Sequence, residues 1–211
     1  MKQFEVMATA PFISLDGLDG AGKSTQCRLL AIWLREQGWT VTECHDPGGT
    51  ALGAEIRALL LNHCGSMAPL SEALLFMASR AQLVEEVIRP ALYAGRLVVS
   101  DRFLLANVVY QGHAGGLDPQ MLWEIGLLSA GELEPDLTVV LDVPVEQSAA
   151  RRIGPADRIE SRDLAYHEQV REGFLTEARR RPDRICVIDA QATIEQVHER
   201  IRQEVTRRIP S

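Results

Sequence analysis

The sequence predicts an α/β fold in three layers, a five-stranded parallel sheet with helices on both faces. Two observations carry that prediction. Five short, nearly continuous apolar runs alternate with longer stretches whose apolar residues recur every three or four positions. A glycine-rich turn follows the first run directly, where a strand passes into a helix.

The first strand is expected over Phe12–Leu15, bounded by Asp16-Gly17. Thr40–Cys44 is the second and opens onto Pro47-Gly48-Gly49. Leu97–Ser100 follows Gly95, which reads as a helix C-cap. Leu137–Leu141 and Ile185–Ile188 complete the set. Runs this short and this apolar suit strands buried on both faces. Helical patterns cover Lys23–Gln37, Ser71–Ala94, Asp118–Ala130, Val145–Arg152, Asp163–Arg181 and Thr193–Arg208. Strands alternating with helices imply right-handed parallel crossovers, with ligands at the carboxyl ends of the strands.

No repeat, low-complexity tract or flexible linker interrupts the 211 residues, so residues 1–211 read as one domain. The net charge of −7 argues against a general affinity for nucleic acid or acidic lipid. A phosphate site therefore has to be a local cluster of cations and backbone N–H groups. The four cysteines, Cys27, Cys44, Cys64 and Cys186, form no C-x-x-C pair and match no zinc spacing, which reads as free thiols in a reducing compartment. Residues 1–11 carry no apolar run of signal-peptide length, and no stretch is long enough to span a membrane. A soluble cytoplasmic protein is expected.

Gly17-Leu18-Asp19-Gly20-Ala21-Gly22-Lys23-Ser24-Thr25 fits G-x-x-x-x-G-K-[ST] in the strand–turn–helix context that the motif requires. Its glycines let the backbone wrap a polyphosphate with N–H groups pointing inward, and the following helix aims its positive end at the same anion. Lys23 supplies a point charge for the β and γ phosphates of ATP, and Ser24 a hydroxyl for Mg²⁺. Asp101 closes the third strand and is the candidate carboxylate for the metal and its waters; Asp142, at the end of the fourth, reads mainly as a turn residue.

Four blocks in order resemble the bacterial thymidylate kinases: FISLDGLDGAGKSTQ, DPGGTALGAEIRALLL (Asp46–Leu61), SDRFLLANVVYQG (Ser100–Gly112) and DRIESRDLAYHEQVREGF (Asp157–Phe174). The likeness runs from Phe12 to about Ile201. It implies the P-loop kinase fold with a short lid, here about 150–160, and transfer of phosphate from ATP·Mg²⁺ to dTMP. By the same resemblance Asp46 and Pro47 border the acceptor, Arg57 grips its phosphate, and Phe76 and Arg80 meet the thymine. Asn107 and Tyr110 approach base and sugar, and Gln111 completes the block beside the base. Asp19 lies near the sugar 3′-OH, and Arg102 bridges toward the transferring and acceptor phosphates. Asp16 has no role beyond a cap. The resemblance places a catalytic Arg in either the phosphate loop or the lid. The loop here has none, so the lid supplies it: Arg152 or Arg151. Arg158 would then shape the lid with Asp157 and Glu160. A homodimer is implied too, with Ser71–Ala94 as a candidate face.

The chain departs from the family pattern at Leu105, Ala106 and His45-Asp46. Competing readings are a kinase for another pyrimidine monophosphate or a deoxynucleoside, a nucleotide-dependent switch, and a relative that has lost catalysis. Arg57 favours an acceptor already carrying phosphate, the guanine-reading N-K-x-D is absent, and Lys23, Ser24, Asp101 and Arg102 are intact.

Overall fold

A computed structural model describes residues 10–63, 65–151 and 158–209. Five strands, β1 (Phe12–Gly17), β2 (Val41–His45), β3 (Leu97–Asp101), β4 (Leu137–Asp142) and β5 (Ile185–Asp189), form one parallel sheet in the order β2-β3-β1-β4-β5. The chain leaves the central strand β1 between β3 and β4, so a crevice opens at the carboxyl end of β1.

Side chains alternate across the sheet. Ile13, Leu15, Leu97, Val99, Val139 and Leu141 pack beneath α1 (Lys23–Glu36) and α9 (Ile194–Arg208), where Leu30, Leu34, Val197 and Ile201 meet them. Phe12, Val98 and Val140 face the opposite layer, built from α3 (Pro69–Leu83), α5 (Leu104–Asn107), α6 (Pro119–Ser129) and α8 (Leu164–Arg180). The remaining helices are α2 (Ala51–Asn62), α4 (Arg89–Tyr93) and α7 (Val145–Arg151).

Each strand runs one or two residues past its apolar run and ends on a polar residue or glycine: Gly17, His45, Asp101, Asp142 and Asp189. Apolar content marks the part of a strand inside the core, whereas hydrogen-bonded pairing continues to the rim where ligands are met. Burial on both faces fails for β2, an edge strand with Glu43 exposed, and for β5, where Val187 is exposed.

The expected helix Ser71–Ala94 is one rod with a wide turn inside it. Val84–Ile88 takes i→i+5 hydrogen bonding between α3 and α4, just ahead of Pro90, which has no N–H to continue the ladder. A second wide turn, Val108–His113, extends α5. The FLLANVVY run (Phe103–Tyr110) has no helical period because this segment is buried nearly all round.

Gly17 sits at φ +135°, and a Cβ there would lie 2.5 Å from the Leu141 carbonyl oxygen. Gly38, at φ +93°, has open space around it. Gly38→Ala should therefore cost about 1 kcal/mol, for the backbone conformation alone. Gly17→Ala should cost at least twice that, because β1 and β4 must also part. Urea titration of the two variants checks the difference, and equal losses would remove the close approach from the account.

Candidate active site

The loop after β1 turns back on itself between Gly20 (φ 88°) and Gly22 (φ 97°). Gly22 is the N-cap of α1 and offers no side-chain acceptor, which leaves the first-turn N–H groups for an anion. Asp19, Gly20, Gly22, Lys23, Ser24 and Thr25 line an open cleft with Asp101, Arg102, Arg57 and Arg151. Leu18 and Ala21 are buried, so of the expected loop residues they can contribute only backbone. Lys23 is itself buried, its Nζ donating to the Leu18 carbonyl at 2.8 Å and standing 3.7 Å from Asp19 Oδ1. Burial lowers its pKa; Arg102 adds to that and Asp19 opposes it. Ser24 Oγ donates to Asp101 Oδ2 at 2.5 Å. A hydroxyl and a carboxylate oxygen thus stand together at the cleft, a hard oxygen pair that could hold a cation such as Mg²⁺.

A second, more enclosed cleft lies beside the first. Asp19, Asp46, Pro47, Arg57, Phe76, Arg80, Arg102, Asn107, Tyr110 and Gln111, the whole set expected around the acceptor, line it. Ala106, where the chain departs from the family pattern, lines it as well, and so do Leu61, Phe103 and Ile159, which were not expected. The two clefts share Asp19, Asp46, Arg57 and Arg102.

Arg102 has a left-handed backbone, φ 69°, rare for a residue with a side chain. Its N–H donates to the Leu15 carbonyl, and its carbonyl accepts from Ser100 Oγ at 2.7 Å. The guanidinium donates to Asp19 Oδ1 at 2.6 Å and to the Tyr110 hydroxyl at 3.1 Å, with its carbon 4.9 Å from the Tyr110 ring centre. Tyr110 Oη in turn donates to Asp19 Oδ2 at 3.1 Å. Burial alone would raise the Asp19 carboxyl, but Arg102 and Lys23 together hold it well below the usual carboxylate range. Arg57 Nη1 donates to the Pro47 carbonyl at 3.0 Å. Arg80 is fully buried, with Nε on Asp46 Oδ2 at 2.6 Å and Nη1 on Asn107 Oδ1 at 3.1 Å.

Arg151, at the end of α7, lines the phosphate cleft and donates to the Ala190 carbonyl at 3.0 Å. Arg152 and Asp157 lie outside the described residues. Arg158 donates to the Leu60 carbonyl at 2.8 Å and pairs with Glu72, a carboxylate on α3, at 2.5 Å. Asp142 makes a two-point ion pair with Arg171, 2.7 and 2.9 Å, a structural role. Glu72 was missed from sequence although it stands four residues before Phe76 and eight before Arg80, on the same helical face. Ser79, which accepts from the Gly48 N–H at 3.1 Å, was missed too.

Comparison with known proteins gives a consistent result. The model of the thymidylate kinase family matches residues 15–201. The chain is 50% identical over 189 residues to the thymidylate kinase of Rhodopirellula baltica, covering 90% of this chain and 77% of that one. It is 46% identical to the thymidylate kinase of Symbiobacterium thermophilum, covering 94% of each. The crystal structure of thymidylate kinase from Ehrlichia chaffeensis superposes with a TM-score of 0.77 at 30% identity, over 94% of this chain and 99% of that one.

Asp16 is not a cap. It is the buried penultimate residue of β1, and neither of its carboxyl oxygens has a hydrogen-bond partner among the described residues. Burial raises its pKa to about 7, against the pull of Arg102 and Lys23. The folded protein holds this proton more tightly than the unfolded chain, where the carboxyl titrates near 3.8. Its contribution to stability is therefore complete below pH 3.8 and lost as pH rises through about 7. In nucleotide-free protein, Asp16→Asn should melt above wild type at pH 8, with the gap closing toward pH 4. A gap constant across that range would show that Asp16 does not titrate there.

Proposed function

The chain belongs to the thymidylate kinase family, and from that premise we propose how its residues carry phosphoryl transfer from ATP to dTMP. The observation that carries the reading is the sharing of Asp19, Asp46, Arg57 and Arg102 by two adjoining clefts, one built for polyphosphate and one for a nucleotide.

The backbone of Gly17–Thr25 and the N-terminus of α1 hold the ATP phosphates, with Lys23 on the β and γ groups. Ser24 and Asp101 would hold Mg²⁺, partly through water, and an ion there would offset charge on the ATP phosphate oxygens. On the acceptor side Arg57 takes the dTMP phosphate in a two-point grip, Phe76 stacks on the thymine, and Arg80, Asn107 and Gln111 read the base edge. Tyr110 packs against the sugar and disfavours a 2′-hydroxyl, while Asp19 orients Arg102 and Tyr110.

A dTMP phosphate oxygen attacks the γ phosphorus, the bond from that phosphorus to the β-phosphate bridging oxygen breaks, and dTDP and ADP leave. The nucleophile is already an anionic oxygen, so no strong base is needed; positioning and charge do the work. Arg102 stands where the clefts meet and neutralises charge between the two phosphates. Arg151 or Arg152 supplies a second cation from the lid side, and Arg158 fixes the segment behind it.

Residues 1–211 act as a single domain in the cytoplasm, a setting consistent with the free thiols of Cys27, Cys44 and Cys186. A homodimer is supported by Leu52 and Leu59 on α2 and Leu70 and Leu74 on α3, each 44–47% exposed on neighbouring helices.

Release of ADP with dTMP, dUMP, UMP, dCMP, AMP and thymidine as acceptors tests the assignment. Strong preference for dTMP, weaker use of dUMP and none of thymidine is expected; turnover of thymidine would remove Arg57 from phosphate binding. Lys23→Ala should cut kcat by about 10²–10³-fold with the fold intact. Phe76→Ala should raise KM for dTMP about tenfold or more while leaving that for ATP alone; an equal rise in both would make Phe76 a packing residue. Sedimentation should give a dimer, and Leu74→Glu a monomer; a wild-type monomer would leave the α2–α3 face without a partner.

A further inference from the structure

A row of polar side chains buried within the protein runs beneath the acceptor cleft. Arg80 Nη1 donates to Asn107 Oδ1 at 3.1 Å, Asn107 Nδ2 to Gln111 Oε1 at 2.9 Å, and Gln111 Nε2 to Glu72 Oε1 at 2.8 Å. All four residues are at most 3% exposed. A guanidinium only donates and a carboxylate only accepts, so both amides have a single allowed orientation, set from the two ends of the row. The other Glu72 oxygen, Oε2, takes Arg158 Nη2 at 2.5 Å, and Arg162 Nη2 lies 3.4 Å from both oxygens. The residue after Arg158 is Ile159, which is buried and forms part of the acceptor-cleft wall.

We infer that Glu72 is a positioning residue for base recognition: one oxygen sets the Gln111 amide beside the base, and the other holds Arg158 and with it the Ile159 wall. This rests on the reading that the cleft takes dTMP. The two jobs need two acceptors at one side chain. A carboxylate has both. An amide of the same shape has one oxygen, for which Gln111 and the arginines must compete.

Glu72→Gln is therefore the informative change. Steady-state kinetics should show KM for dTMP raised about tenfold, the loss expected for one charge-assisted hydrogen bond. KM for ATP and kcat should stay within about twofold, and the preference for dTMP over dCMP should fall. A purely structural role would lower the melting temperature and leave the ratio of the two KM values unchanged. Unchanged dTMP KM, or equal rises for both substrates, would overturn the inference. Arg158→Gln, at a partly exposed position, repeats the test if the first variant fails to fold; it too should raise KM for dTMP more than KM for ATP, and no such rise would overturn the Ile159 link. Wild-type turnover of dTMP in the same assay tests the cleft assignment separately.

Discussion

In the proposed transfer two polyanions have to meet in a protein that is itself net negative, and the contact between Arg102 and Asp19 is where that conflict would be resolved. Unscreened repulsion between donor and acceptor phosphates would hold them apart, so a cation has to stand between the clefts. A flexible cation would follow whichever anion arrived first. Arg102 is denied that freedom by its left-handed backbone, its bond to the β1 carbonyl of Leu15, the Tyr110 ring and the Asp19 carboxylate. Asp19 belongs to the phosphate loop and Tyr110 to the acceptor wall, so fixing one guanidinium also fixes the two clefts relative to each other.

That arrangement needs the sheet. β3 delivers Asp101 and Arg102 in register with β1, Leu15 beside Asp101, and β2 delivers His45 beside the same residue. Strand ends aligned in this way place the phosphate loop, the Asp46-Pro47 turn and the Asp101-Arg102 pair along one edge. Beside them lies the buried ion pair of Arg80 with Asp46, in which Arg80 is also bonded to Asn107 and packed on Phe103, and removing one side would strand the other in the core.

Much of this could be read from the chain alone, for identifiable reasons. The phosphate loop is local: its glycines, Lys23 and Ser24 act through consecutive backbone, so spacing alone encodes it. The five strands were visible as apolar runs, but their last residues were not, because hydrophobicity reports the core while the site lies at its rim. Phe76, Arg80, Asn107, Tyr110 and Gln111 came from resemblance, and all line the acceptor cleft. Glu72 shares a helical face with two of them and still went unnoticed, since a glutamate on an amphipathic helix ordinarily marks the solvent side. Asp16 was hidden by the opposite error: beside a glycine it looks like a turn residue, whereas it completes the central strand. The Arg158–Glu72 pair joins positions 86 apart, a distance over which no sequence periodicity operates.

The wide turn at Val84–Ile88 adds a residue to the rod that begins at Pro69. Upstream of it, Phe76 and Arg80 line the more enclosed cleft and Glu72 is bonded to Gln111 behind it; downstream, Ala91 and Leu92 are buried in the core. An uninterrupted α-helix would lock those two faces into one phase, so any residue gained or lost would misalign one of them. With the wide turn between, the rod behaves as two gears on a shaft with a clutch. The extra residue is held within that one turn, so a single-residue deletion inside Val84–Ile88 would restore an ordinary α turn and leave both the upstream face and the buried face of α4 in place.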